Sequence, residues 1–207
     1  MILFLVRHGE SQFNAEGRIQ GQLDVPLSDL GRRQALAVAE RFAAEPLDTI
    51  YSSPLSRALD TASEIAARLN IDVRIDERLK EIHAGAFQGL TRREMAERYP
   101  DEERRWTARE PDFRVPGGET RRELGRRGRA ALEAIRETQL DRVAVVAHGA
   151  ILSATLKALL DIPVHRAPFH FYNAAVTKIL WKHEPIVDTL NETEHLRGLD
   201  TRGFGDL

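Results

Sequence analysis

The chain of 207 residues contains no cysteine. That excludes a disulfide framework, a thiolate metal site and a cysteine nucleophile. It also lacks any apolar stretch near the roughly 18 residues that cross a bilayer. It begins directly on a strand-like run, with no basic leader and no small-residue cleavage site, so the expectation is a cytoplasmic protein with no membrane partner. Lysine is scarce: 4 of the 30 basic residues are lysine and 26 are arginine. Net charge is only -2, which gives no electrostatic pull toward nucleic acid. His-Glu-x-x-His, Gly-x-Ser-x-Gly, the Walker A loop and Gly-x-Gly-x-x-Gly are all missing. Zincin, serine hydrolase, nucleoside triphosphatase and dinucleotide readings therefore find no support.

What is present is a repeated unit. Ile2-Leu3-Phe4-Leu5-Val6 leads into Arg7-His8-Gly9, and Val143-Ala144-Val145-Val146-Ala147 leads into His148-Gly149. An apolar run of about five residues reads as a strand buried on both faces of a parallel sheet. Ligands bind at the carboxyl ends of such strands. If these two are neighbours, two imidazoles and an arginine meet in one crevice, as a phosphate site containing a nucleophile.

Strands alternate with helices along the chain. Helices are expected over 28–45, from 54 to 69, over 120–138 and over 151–160, with strands at 49–52, 71–75 and 174–181. Ser28 and Ser53 are the candidate N-caps, with Pro54 at the first helical position. The pattern predicts an α/β fold of three layers: a mainly parallel sheet with helices on both faces. The length suits a single domain over 1–207. Residues 82–118 form a polar excursion rich in Gly and Pro, with short helices near 91–98 and 101–109. Such a long connection reads as a lid or substrate wall. The final dozen residues, from Leu196, read as a frayed tail. The strand at 174–181 is a candidate sheet edge that could pair across a two-fold, so monomer and homodimer both stand.

Three segments carry candidate chemistry. Neutral imidazole is a competent nucleophile, and Arg7 beside His8 favours the neutral form while clamping phosphate oxygens. Arg57 tilts back toward the N-terminus of its helix, an end that favours anions. Glu81, where the excursion leaves the domain, offers a carboxyl to protonate a leaving oxygen and then deprotonate water.

These residues resemble the histidine phosphatase superfamily, the phosphoglycerate mutase-like group. The likeness runs through Leu5-Val6-Arg7-His8-Gly9-Glu10-Ser11, Asn14, Gly17-Arg18-Ile19-Gln20-Gly21 and Pro26-Leu27-Ser28. It continues in Ser52-Ser53-Pro54-Leu55-Ser56-Arg57-Ala58, Leu79-Lys80-Glu81, Gly117-Gly118-Glu119 and Val145-Val146-Ala147-His148-Gly149. Among members, the broad-specificity phosphatases of bacilli are nearest in the Glu81 segment. The resemblance implies a phosphomonoester hydrolase with a phosphohistidine on His8. Arg7, Arg57 and His148, with Gly149 adjoining, would bind the phosphoryl group. Asn14 and Gln20 would add hydrogen bonds, with Gly21 adjacent. Glu81 would be proton donor and then base. It implies no metal and no cofactor, and a small phosphomonoester as the partner. Phe87-Gln88-Gly89 stands where such phosphatases carry Trp-Glu-Gly.

The alternatives are a bisphosphoglycerate-dependent phosphoglycerate mutase, a non-catalytic phospho-ligand binder on the same fold, and a metal hydrolase. A mutase would need basic residues for a second anionic group. Arg92, Arg93, Arg104, Arg105 and Arg109 are available, but their acidic neighbours read as surface ion-pair partners. Arg121, Arg122, Arg126, Arg127 and Arg129 read as mostly outward. Phe87, Trp106 and Phe113, with Phe169, Phe171 and Tyr172, read either as an aromatic wall favouring bulky organic phosphates or as the excursion's own small core.

Overall fold

A computed structural model describes residues 1–199. Six strands form one sheet: β1 (Ile2–Arg7), β2 (Thr49–Ser52), β3 (Val73–Ile75), β4 (Arg142–Ala147), β5 (Val176–Trp181) and β6 (Pro185–Glu192), in the order β3-β2-β4-β1-β5-β6. The first four run parallel, and β5 and β6 add antiparallel at one side. Helices are α1 (Gln12–Glu16), α2 (Asp29–Phe42), α3 (Ser56–Leu69), α4 (Arg92–Arg98), α5 (Pro100–Thr107), α6 (Arg121–Glu137) and α7 (Gly149–Leu159).

Alternation along the two central strands builds the layers. Phe4, Val6, Ala144 and Val146 pack with Val38, Phe42, Ala62 and Ile65 of α2 and α3. Leu3, Leu5, Val143 and Val145 face the other way, onto Leu132 and Ile135 of α6 and Ile151 and Leu156 of α7. Both faces of β1 and β4 are dry, so their continuous apolar runs are required. Each fully buried side chain of this size contributes about 2 kcal/mol. Gly128 lets α6 and α7 close together, because a Cβ there would stand 1.9 Å from Thr155 Oγ1.

The excursion adds to the same core. Phe87, Met95, Trp106, Phe113 and Val115 are buried in the cluster that holds Leu3 and Leu5. Thr91 and Glu94 form a capping box that starts α4, and Thr120 and Glu123 form another that starts α6.

The structure corrects several expectations. The strand at 174–181 is not an edge, because β6 pairs along it. Sequence reading gave β6 no element, since its burial is slight and its exposed face mixes Ile186 and Leu190 with Asp188 and Thr189, without a clean apolar alternation. The helix after Ser53-Pro54 begins at Ser56, with Leu55 at its N-cap. The Ser53 hydroxyl accepts instead from the Leu55 N–H at 3.3 Å. Arg57 is therefore the second residue of the helix. Leu196 is not frayed: it sits in a 3-10 turn (Glu194–Leu196), 2% exposed, against the α2–α3 side of the core. The rest of the expected tail, from residue 200, lies outside the described residues.

Candidate active site

Arg7 of β1 pairs with Ala147 of β4, so the two His-Gly units stand side by side at the sheet's carboxyl end. The His8 N–H donates to Ala147 O at 3.0 Å, which locks the two strand ends together. His8 is 2% exposed and His148 fully buried. Their ring centroids are 5.0 Å apart.

His8 Nδ1 lies 2.6 Å from Gly9 O. A carbonyl only accepts, so Nδ1 carries the hydrogen and Nε2 keeps its lone pair. Burial, then the charges of Arg57 and Arg7, hold its pKa well below the ordinary histidine value. The position of the Gly9 carbonyl depends on tight packing beneath it. A Cβ on Gly9 would stand 2.4 Å from Gly31 O at the start of α2, and the Gly9 N–H donates to Thr61 Oγ1 at 3.1 Å.

His148 occupies the N-cap position of α7. Its Nε2 lies 2.8 Å from Ser53 Oγ, while its buried Nδ1 has no hydrogen-bond partner among the described residues. The Ser53 hydroxyl, which also accepts from the Leu55 N–H, can either donate to Nε2 or accept from it, so this contact fits both neutral tautomers of His148. Burial, then Arg57, His8, Arg7 and Arg127, keep this ring neutral as well.

Two buried guanidiniums flank the imidazoles. Arg7 Nη1 donates to Phe171 O at 2.6 Å. Arg57 donates to Gly21 O and Leu23 O, both at 2.9 Å. Both are anchored through backbone carbonyls, so their positive charge is not cancelled by a carboxylate in that bond. Gly149 opens α7 against Arg7, where an added Cβ would lie 3.5 Å from the guanidinium carbon.

Glu81 is 8% exposed and turns its carboxylate onto the first turn of α7. It accepts from the N–H groups of Ala150 and Ile151, each at 3.0 Å, and from Ile82 at 2.8 Å. Burial raises its pKa, against the lowering pull of the backbone N–H groups and of Arg57 and Arg7. Burial wins, so Glu81 holds a proton into a higher pH range than an ordinary carboxyl.

His8, Gln20, Gly21, Arg57 and Glu81 line one pocket of about 430 Å³ with Ile19, Ile82, Trp106, Arg121 and Ala150. Asn14 is placed differently. Its Oδ1 accepts from Ser11 N–H at 3.1 Å and Asn173 Nδ2 at 3.2 Å, in the capping box of α1. Asn173 Nδ2 also reaches His8 O at 3.1 Å. Gln20 Oε1 takes the Ser11 hydroxyl at 2.7 Å. Gln88 accepts from the Gln22 N–H at 2.9 Å and so fixes the loop carrying Gly21. Of the candidate aromatic wall, only Trp106 lines the pocket. Phe87 and Phe113 are core residues, which is the plainer of the two readings.

Sequence reading missed Ser53 as a histidine partner, Thr61, Asn173, Arg121 and Arg127. Arg121 and Arg127 are a correction, since neither points outward. Arg127 donates to Arg78 O, Lys80 O and Glu81 O and pairs with Glu119 at 2.7 Å. A signal existed: Arg127 stands three residues after Leu124 and four before Ala131, on the apolar stripe of α6. Arg121 shares its row with Gly125 and Gly128, the close-packed face.

Residues 3–193 match the sequence profile of the histidine phosphatase superfamily (branch 1). The chain belongs to the histidine phosphatase superfamily. This histidine phosphatase is similar to the metal-independent phosphoserine phosphatase of Arabidopsis thaliana, with 38% identity over 98% of the chain and 87% of the relative. It is similar also to a probable phosphoglycerate mutase of Photorhabdus laumondii, at 34% identity over 99% of the chain and 98% of the relative. A solved mycobacterial glucosyl-3-phosphoglycerate phosphatase, in complex with VO3, superposes with a TM-score of 0.84 at 34% identity. That match covers 92% of this histidine phosphatase and 98% of the other chain.

Proposed function

We propose that the protein hydrolyses phosphomonoesters without a metal, through a phosphohistidine on His8. The observation that carries this is the His8 Nδ1–Gly9 O contact, which leaves an Nε2 lone pair in a pocket bordered by Arg57 and Glu81. The lone pair attacks phosphorus as the ester P–O bond breaks, and Glu81 gives its proton to the departing oxygen. Water then attacks phosphorus, Glu81 takes the water's proton, and the P–N bond breaks to release phosphate. Arg7, Arg57 and His148 hold the phosphoryl oxygens and offset their charge. Gln20, with Gly21 and Gly149 adjoining, completes the cradle, while Asn14 acts through Ser11 and Asn173. Among the described residues, no group of three or more His, Asp or Glu side chains is placed to hold a metal ion. The 82–118 excursion supplies Trp106 as a wall of the pocket.

The test is hydrolysis of p-nitrophenyl phosphate in excess EDTA, beside His8→Ala. Turnover by the wild type alone is expected. Activity surviving in His8→Ala would remove His8 as nucleophile. Similarity to a probable mutase supports a second reading, whose mark would be conversion of 3-phosphoglycerate only with added bisphosphoglycerate.

A further inference from the structure

His8 and Arg7 are gripped from one further side, by the segment 170–174 that leads into β5. Arg7 Nη1 donates to Phe171 O at 2.6 Å, and Asn173 Nδ2 reaches His8 O at 3.1 Å. The Ala174 N–H lies 3.0 Å from Arg7 O and 3.1 Å from His8 O. One short segment thus holds the backbone of the proposed nucleophile and a guanidinium beside it. Ala174 is fully buried with φ at +58°. A residue with a Cβ keeps that left-handed conformation only where its partners impose it.

Those partners come from the end of β6. Leu190 and Asn191 stand opposite Thr177 alone, where the pairing with β5 shifts register. Such a bulge re-aims a side chain. Asn191 has φ at +54°, a conformation that asparagine tolerates. Its Nδ2 donates to His170 O, and its Oδ1 accepts from the Tyr172 N–H at 3.2 Å. The side chain therefore brackets Phe171 on both sides, as the backbone of a neighbouring strand would. His195 follows in the 3-10 turn. Its Nε2 lies 2.8 Å from Ala174 O, and a carbonyl only accepts, so Nε2 carries the hydrogen. Both residues are themselves fastened. Glu192, between them, accepts from Nε and Nη2 of Arg41 on α2, and Leu196 is buried on the α2–α3 side of the core.

We propose that Asn191 and His195 are positioning residues for the reaction centre, fixing the segment 170–174 and through it Arg7 and His8. Neither lines the pocket. The inference rests on the phosphatase reading above. The two residues act on different groups. Asn191 brackets Phe171, whose carbonyl holds Arg7, so its loss loosens the grip on phosphate. His195 holds Ala174, whose N–H holds the backbone of His8, so its loss displaces the nucleophile.

The experiment measures kcat on p-nitrophenyl phosphate and, by calorimetry, the dissociation constant of inorganic phosphate. It uses the wild type, Asn191→Gly, His195→Leu and His195→Gln, each well below its own Tm. Asn191→Gly keeps the left-handed backbone and deletes the clasp; phosphate binding weakens by roughly threefold or more. His195→Leu lowers kcat by roughly ten- to a hundredfold and leaves phosphate affinity nearly intact. His195→Gln, whose amide can still donate to Ala174 O, recovers most of that loss. Wild-type kcat and phosphate affinity in folded Asn191→Gly and His195→Leu would overturn the proposal, even with a lowered Tm. So would equal losses in His195→Leu and His195→Gln. Should His195→Leu not fold, Asn191→Gly decides the matter, since glycine suits that backbone. A wild type that leaves p-nitrophenyl phosphate intact would overturn the phosphatase reading, while phosphate binding by Asn191→Gly would still test the clasp. A wild type that binds no phosphate either would overturn both.

Discussion

The imidazoles of His8 and His148 lie with centroids 5.0 Å apart and planes inclined by 60°, and burial keeps both neutral. Neither ring can accept a proton without placing a third positive charge beside those of Arg7 and Arg57. This sets the pH behaviour of both activity and stability. On the proposed mechanism, activity requires His8 neutral and Glu81 protonated. The His8 pKa lies well below 6.5 and the Glu81 pKa above 4.5. The profile of kcat/KM is therefore a bell with its maximum on the acid side, its falling basic limb belonging to Glu81. A flat rate between about pH 5 and 8, with chemistry limiting, would remove Glu81 from the acid role.

For stability, the unfolded chain protonates each histidine near its ordinary pKa while the folded chain resists. Stability is thus full above that value and falls as pH drops, by about 1.4 kcal/mol per unit for each histidine. Glu81 works oppositely, since its raised pKa makes the fold bind a proton first; its contribution is lost as pH rises from 4.5 through the raised value. Two groups outweigh one, so acidification through this window lowers Tm. His148→Asn shallows the slope, as read by thermal melts across pH.

Glu81→Gln separates the two chemical steps. With p-nitrophenyl phosphate the leaving group departs without a proton, but water then lacks its base. The expected result is a burst of p-nitrophenolate equal to the enzyme concentration, followed by slow turnover. With an alkyl phosphate the first step also fails, and kcat falls by roughly 10²–10⁴. Equal losses on both esters, with no burst, would contradict the assignment.

Arg127 pins the segment that carries Glu81. Its guanidinium gathers Arg78 O, Lys80 O and Glu81 O beside the Glu119 carboxylate. A lysine keeps the charge but cannot span these acceptors. Arg127→Lys is expected to cost about 2 kcal/mol in urea unfolding. It is also expected to move the basic limb of the pH profile, because Glu81 is no longer held on α7. An unmoved limb would show the arginine to be structural only.

Gly31 has no room for a side chain. A Cβ there would sit 1.8 Å from Glu10 O, in the backbone that follows His8 and Gly9. Gly31→Ala must displace that loop or the start of α2, at about 3 kcal/mol. Loss of activity together with a lowered urea midpoint is expected. A neutral effect on both would mean that the loop position does not matter to His8.

Much of this was legible before any coordinates. Two apolar runs ending in His-Gly read as strands buried on both faces in the middle of a parallel sheet. Their adjacency, left conditional in the sequence, is what the pairing of Arg7 with Ala147 supplies. The partners of these histidines were not legible, because Ser53, Thr61 and Asn173 come from segments with no periodic relation to them. The arginines of α6 show the limit most clearly. Arg121 and Arg126 are alike as text; Trp106, fifteen residues before Arg121, distinguishes them, and its position is set by how the excursion folds back. Strand β6 was invisible because a half-exposed outer strand lacks the apolar alternation by which strands are recognised.

The grip of Arg127 on the neck of the excursion also bears on how such a protein diversifies. On the proposed mechanism, the groups that touch the phosphoryl oxygens or carry the proton lie at or before that neck, or on β4 and α7 beyond it, while Gln88 in the excursion holds the loop of Gly21. Pocket-facing positions of the excursion such as Trp106 can therefore change with Glu81 held in place, while Gln88 and the buried Phe87, Met95, Phe113 and Val115 keep the scaffold. One catalytic scaffold can thus be offered to new esters by exchanging a wall, and inheritance of the chemistry does not oblige inheritance of the substrate.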